Sequence, residues 1–283
     1  MNHKYYLAMA CAAVVWPSMV LADQAGSVDT VDAPPAETAS VVAQPAEHGS
    51  VQLGYGYSEL TDNNAAWNDV FARGNVGLGD SVGVLNWEVS KQRHFGESGQ
   101  AISASLTRDL GPNWYGSIGL GLGSGADFLT KRRVDVAVYR KWLPQRNLIT
   151  GLQFTGSRSG DGVYSDKAWQ ASSSYYFASP LVAEVGVKRT TSNPGDVNTM
   201  RYYVAGTYGV NKQYSLSARY DTGREGYMPQ GFSSPAVNFK SNVATVSWRQ
   251  WLSPRWGYEL QAERYHNPSY NRKGVTASVF YDF

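Results

Sequence analysis

The chain has one cysteine in 283 residues, Cys11, and none after it. That count excludes an intrachain disulfide and any metal site built on several thiolates. Beyond residue 22 there is no run of about 18 apolar residues, so helical membrane spans are excluded there. Residues 23–48 lack aromatics, Lys and Arg; their charges are Asp23, Asp29, Asp32, Glu37 and Glu47. A segment rich in Ala, Pro, Ser, Thr and Val with nothing to bury reads as a disordered spacer. No metal-ligand spacing, phosphate-cradling glycine loop or nucleic-acid module is found, so no cofactor, metal or nucleic-acid partner is expected.

What is present starts with an export pattern. Lys4, an apolar stretch over residues 7–20 and Val20-Leu21-Ala22 predict a signal peptide over 1–22, cleaved after Ala22. Leu7-Ala8-Met9-Ala10-Cys11 resembles a lipoprotein box, but most of the apolar stretch follows the cysteine. The expected organisation is signal peptide 1–22, periplasmic spacer 23–48 and a membrane domain over 49–283. Lys4 is the only Lys or Arg before residue 49, and five acids precede it. Of 25 basic and 23 acidic residues, the membrane domain therefore keeps about 24 and 18, a surplus of roughly six positive charges.

Period-two alternation recurs throughout that domain. In the last nine residues Val275, Ala277, Val279, Tyr281 and Phe283 occupy one phase, with Thr276, Ser278 and Asp282 in the other. Val51, Leu53, Tyr55 and Tyr57 repeat the pattern, as do Trp114, Ile118, Leu120 and Leu122, then Tyr214, Leu216 and Tyr220, then Trp256, Tyr258 and Leu260. Such segments are half-greasy strands. Tight turns fall at Gly79-Asp80, Gly111-Pro112-Asn113, Pro144-Gln145-Arg146, Ala178-Ser179-Pro180, Asn211-Lys212 and Ser253-Pro254, and looser polar stretches alternate with them. The spacing predicts strands near 50–60, 67–78, 82–95, 100–110, 114–124, 130–143, 148–159, 164–177, 181–192, 198–210, 213–224, 237–252, 256–266 and 271–283. This is an all-β fold: a transmembrane antiparallel β-barrel of about fourteen strands, with short periplasmic turns and longer extracellular loops. Twelve strands is the alternative, because the second and third segments are less cleanly patterned.

The 19 Tyr, 9 Trp and 9 Phe residues cluster beside the tight turns, at Trp114, Tyr115, Trp142, Tyr176, Phe177, Tyr208, Tyr214, Trp251, Trp256 and Tyr258. That distribution reads as an aromatic girdle at a headgroup boundary. Tyr281 and the terminal Phe283 resemble the signal read by the barrel assembly machinery, an expected partner through the last strand. Leu110-Gly111-Pro112-Asn113-Trp114-Tyr115, Trp142-Leu143-Pro144, Phe177-Ala178-Ser179-Pro180-Leu181 and Trp251-Leu252-Ser253-Pro254-Arg255-Trp256-Gly257-Tyr258 share an aromatic–Leu–small–Pro–aromatic theme. In this the chain resembles the YaiO-type outer-membrane barrel family over essentially all of 49–283. The resemblance implies an outer-membrane barrel, sometimes fused behind helical repeats in envelope and polysaccharide-export systems. No such repeats precede this barrel, and the family offers no catalytic set to transfer.

Turning the polar phase inward gives a lumen lined by Arg73, Arg133, Lys141, Lys188, Arg201, Arg219, Arg249 and Arg272. The acidic members are Glu88, Asp135, Glu184, Asp221, Glu259 and Glu263. Mixed signs fit a salt-bridge network that fills and stiffens a modest lumen; a water-filled path whose basic surplus favours anions or acidic polymers is the sharper reading. Arg108 and Arg140 fall in the lipid phase near turns and are expected to snorkel to headgroups. The longest loop, 224–236, carries Arg224, Glu225, Tyr227, Met228, Pro229 and Phe232 and is placed at the outer mouth. Tyr164, Trp169, Tyr227, Tyr265 and Tyr270 lie toward that end as a candidate sugar-stacking set.

The expected function is a narrow channel or envelope scaffold in the bacterial outer membrane, serving export of a polysaccharide or another solute, anionic solutes included. Its expected surroundings are outer-membrane lipid and lipopolysaccharide. A rival is a barrel enzyme modifying lipid or glycan at the outer rim, with His94 and His266 sharing that rim near Glu97, Ser98, Asn267 and Ser269. A plugged structural or adhesion barrel is the third reading. No catalytic residue is assigned.

Overall fold

The computed structural model describes residues 49–78, 83–160, 162–227 and 237–283. The expected signal peptide and spacer, the Gly79-Asp80 turn, and Met228, Pro229 and Phe232 of the longest loop lie outside the described residues.

Fourteen strands follow one another: β1 (Gly49–Leu60), β2 (Trp67–Gly77), β3 (Val84–His94), β4 (Glu97–Gly111), β5 (Trp114–Ser124), β6 (Thr130–Trp142) and β7 (Leu148–Ser159), then β8 (Ser165–Tyr176), β9 (Leu181–Asn193), β10 (Val197–Val210), β11 (Tyr214–Tyr227), β12 (Val237–Trp251), β13 (Trp256–His266) and β14 (Asn271–Asp282). Each pairs antiparallel with its chain neighbours, and β1 pairs with β14 to close the barrel. Closure removes the edges a membrane sheet cannot leave unpaired. The second and third segments are full strands, registered through Arg73↔Glu88, so the twelve-strand alternative falls. No helix of the described residues is long and apolar enough to cross a membrane.

An even strand count puts both ends of the barrel on one side, the periplasmic side, where the short turns lie. The largest boundary differences from the pattern, three residues each, are at β4, which begins at Glu97 instead of residue 100, and at β11, which runs to Tyr227 instead of 224 and so takes Glu225 and Tyr227 out of the expected loop. Phe95 and Gly96 both adopt positive φ (51° and 88°), which closes β3 and β4 with two residues.

The two strand faces differ as a membrane requires. Outward residues such as Leu53, Ile118, Leu216 and Leu260 are exposed, and Leu120 and Val275 each show 60% of their surface. An apolar face that open meets lipid, not water. Trp114, Trp142, Phe177, Tyr208, Trp256, Tyr281 and Phe283 are exposed at the turn side and form the girdle. Tyr115, Tyr176 and Trp251 do not belong to it. They sit on the inward phase; Tyr115 is buried, and the Trp251 indole N–H donates to Asp282 Oδ2 at 2.9 Å.

The outward face also carries charge near its outer end. There β3 presents Lys91 and Arg93, β6 Arg132, β7 Arg158, β8 Lys167, β9 Arg189, β11 Arg224, β12 Lys240, β13 Arg264 and β14 Lys273. All are exposed and lie within five residues of the outer end of their strand. Glu59 is the one acid on the outward phase of the described strands.

Phe283 pairs with the start of the barrel: its N–H donates to the Gly49 carbonyl at 2.9 Å, and Gly49 N–H donates back at 3.1 Å. A Cβ on Gly49 would overlap the Phe283 ring. Deleting Phe283 removes both the closing hydrogen bonds and the ring. We expect the heat-modifiable folded form to appear several-fold more slowly in a pulse-chase of outer-membrane assembly; wild-type kinetics would show that the terminal residue carries no assembly signal.

Candidate functional site

The interior wall is set by glycine–aromatic pairing. Phe71 faces Gly54, Tyr139 faces Gly151, Tyr203 faces Gly186 and Phe280 faces Gly257, each pair directly opposite in register. A Cβ at any of these glycines would overlap the facing ring. With no Cβ in the way, each inward ring lies flat on the neighbouring strand instead of projecting into the lumen.

Charges occupy the spaces between the rings. Arg133 Nε and Nη2 donate to Asp135 at 2.9 and 3.0 Å, and the Thr155 hydroxyl donates to the same carboxylate at 2.6 Å. Arg219 chelates Asp221 at 2.6 and 2.8 Å and lies 3.7 Å over the Tyr203 ring, whose hydroxyl donates to Glu184 at 2.6 Å. Arg73 reaches Glu259 at 3.3 Å, and Arg249 donates to the other Glu259 oxygen at 3.3 Å while stacking 3.7 Å from Phe280. Lys141 donates to Asp109 at 2.9 Å. Guanidinium and carboxylate held flat against the wall satisfy one another where water is scarce.

Toward the outer end the interior fills. Leu60, Trp67, Phe239, Val243, Tyr265 and Tyr270 form one buried apolar cluster. Its members come from β2, β1, the residue just before β14, β13 and β12, five neighbours in the barrel order, so the cluster covers that arc of the wall at the outer end. Arg272, fully buried, pairs with Glu263 (Nε at 3.1 Å) and lies 4.3 Å over Trp67. Beside it Glu225, also buried, accepts from Arg201, from Ser241 and from the Tyr265 hydroxyl, the last at 2.9 Å. Of the eleven largest fully buried side chains, all but Tyr115 and Thr207 belong to this outer region.

All fourteen charged positions selected from the sequence lie on the inward phase of their strands. Glu88 is buried on β3 and Lys188 on β9. Six further acids lie on the inward phase of their strands: Asp69, Glu97, Asp109, Asp166, Glu225 and Asp282. Lys131 at the β6 bulge aside, the inward phase of the described strands therefore carries eight Lys or Arg and twelve Asp or Glu, and the basic surplus of the domain lies on the outward face. Asp69 and Glu225 carry a signal that phase counting near strand ends would have found, since each continues the polar alternation of its strand.

The two histidines are not brought together. His94 points inward, fully buried, stacked between Trp67 (4.2 Å) and Phe128 (4.6 Å), with Nε2 at 2.8 Å from Asp69 Oδ1. His266 is exposed on the opposite face of the wall, its Nδ1 at 2.7 Å from Asn271 Oδ1. The sugar-stacking set divides likewise. Trp169 faces outward, Tyr265 and Tyr270 pack on each other in the buried apolar cluster, 5.5 Å apart, and Tyr164 and Tyr227 form a separate pair, 5.2 Å apart. No cluster of three potential metal ligands occurs among the described residues.

No curated protein matches the chain by sequence. Among solved structures, the outer membrane protein Omp33 of Acinetobacter baumannii aligns with a TM-score of 0.50 and 13% identity, over 83% of this chain and 99% of that one. A bacterial polysaccharide outer membrane secretin aligns with a TM-score of 0.51 and 11% identity, over 83% of this chain and 98% of that one. At such identities the likeness is one of fold. The sequence profile described as the YaiO membrane beta barrel domain matches residues 48–228. That match takes in β1 to β11 and stops short of the extent expected from the turn motifs, since 251–258 lies beyond it. It nevertheless spans well over half of a chain whose fourteen strands close into one barrel, and on that ground the chain belongs to the YaiO membrane beta barrel domain family.

Proposed function

We propose that this outer-membrane barrel is a narrow channel that rests shut at its outer mouth and passes small cations or uncharged solutes, glycans included, when that mouth loosens. One observation carries the reading: the uneven packing along the axis. Below the mouth, glycines let the inward rings lie along the wall; at the mouth, Trp67, Tyr265 and Tyr270 interlock with Phe239 and Val243. A hydrophobic constriction above a polar path is a gate that opens by wetting. Acids outnumber bases on the inward phase, which argues for cations over anions. The separation of His94 from His266 speaks against a catalytic rim.

Planar-bilayer recording tests this on the full chain. Wild type is expected to open rarely, and Trp67→Ala/Tyr270→Ala to open several-fold more often, with a reversal potential favouring cations. Silence from both proteins, each still heat-modifiable, would assign the barrel to a plugged scaffold. Anion preference would overturn the charge argument alone.

A further inference from the structure

The belt of cations on the outward face has no use in the channel. We propose that it is a binding surface for the phosphate groups of the lipid of the outer leaflet, lipopolysaccharide. This inference is independent of whether the lumen conducts.

Like charges stand directly opposite one another in this belt. Arg132 is the register partner of Arg158, Arg224 of Lys240, and Arg264 of Lys273. Directly opposed like charges destabilise a sheet, yet the arrangement occurs three times at one level. Among the described residues, none of the six pairs with a carboxylate within 4 Å, although the interior of the same barrel pairs its arginines throughout. Glu59, beside Lys273 in register, is the only acid of the described strands that shares their face. The missing counter-charge is therefore external to the chain.

The height of the belt names the source. Val134 and Val275, two residues farther into the membrane than Arg132 and Lys273 on the same face, are exposed apolar side chains. The cations thus stand where hydrocarbon gives way to headgroups on the outer side. Two guanidinium groups are also held in place. Arg158 donates to the Gly162 carbonyl at 3.2 and 3.0 Å, and Arg224 Nε donates to Asn238 Oδ1 at 2.6 Å. An oriented guanidinium with donors to spare suits a bidentate contact to phosphate. The outward arginines of the turn side differ: Arg140 lies over the Trp142 and Trp114 rings, at 3.6 and 5.2 Å.

The test uses the full chain, folded in an uncharged detergent and titrated with lipopolysaccharide, with bound lipid counted by native mass spectrometry. Arg132→Gln/Arg158→Gln and Arg224→Gln/Lys240→Gln should each weaken binding about 25-fold, since each of the two cations removed contributes roughly fivefold in affinity near an anionic lipid surface. Arg108→Gln/Arg140→Gln should change it little. Phosphatase-treated lipopolysaccharide should bind wild type no better than intact lipid binds the variants. Thermal stability supplies a second readout that does not depend on counting lipid. Without lipopolysaccharide the two belt variants should melt above wild type, because an opposed like-charge pair is gone; with it the order should reverse. Unchanged affinity in both belt variants, or equal binding of dephosphorylated lipid, would overturn the proposal. So would displacement of the lipid by millimolar inorganic phosphate, which would mark an isolated anion site.

Discussion

Replacing Arg201 with Met is expected to weaken the folded barrel by about 3–5 kcal/mol, the range for removing one partner of a buried ion pair. Met fills much of the volume of the arginine stem but supplies no donor. Glu225, with no exposed side-chain surface, would keep only the hydroxyls of Ser241 and Tyr265. Ser241 now also accepts from Arg201 at 2.7 Å, so its orientation is lost as well. The cost comes from stranding the carboxylate, and the companion variant shows it. Arg201→Met/Glu225→Gln should recover most of the stability, because a neutral amide tolerates the same two hydroxyls. Urea unfolding of refolded protein in lipid vesicles measures both. Equal losses in the single and double variants would mean that the charge on Glu225 is not what Arg201 stabilises. The network ties β10, β11, β12 and β13 together at the mouth, so the single variant should also raise opening frequency in the bilayer assay.

The fold was legible because lipid on one side and polar side chains on the other impose a period of two along the whole strand. Val275 to Phe283 and Val51 to Tyr57 show that alternation directly, and they turn out to be neighbours, with Val51↔Tyr281 and Leu53↔Val279 in register. The interior was legible to the same extent: a charged residue in the polar phase of a spanning strand points inward because the other direction is hydrocarbon. That argument weakens at strand ends, where both faces leave the hydrocarbon. There Asp69 escapes the pattern, Glu225 reads as loop although it belongs to β11, and Tyr115, Tyr176 and Trp251 read as girdle residues although they face inward. Aromatic rings of the girdle and rings of the inner wall have the same composition, and only the phase separates them. The environment of His94 was not legible. Its sequence neighbours Glu97 and Ser98 pointed to the rim, whereas its partner is Asp69, placed beside it by the pairing of β2 with β3.

The glycine–aromatic pairs lead to a prediction in which the same substitution changes sign with its background. Gly186→Val in the wild-type barrel should cost about 1–3 kcal/mol, the range for overpacking a close contact. A Cβ there would overlap the Tyr203 ring, which already has the Arg219 guanidinium 3.7 Å from its ring centroid and its hydroxyl bound to Glu184 at 2.6 Å. The ring can only leave by turning into the lumen, and it then loses both contacts. In a Tyr203→Ala background the space over Gly186 is empty. The substitution should then become neutral or stabilising, because a β-branched residue suits a strand better than glycine does. Unfolding in vesicles of wild type, the two single variants and the double variant gives the coupling directly. An equal cost of Gly186→Val in both backgrounds would mean that the ring does not rest on that glycine. Conductance adds a check on the channel reading. A ring forced off the wall narrows the path, so Gly186→Val should reduce single-channel current in a Trp67→Ala/Tyr270→Ala barrel, and Tyr203→Ala should restore it. Glycine at these wall positions then sets the bore, while the apolar cluster at the mouth sets how often it is open.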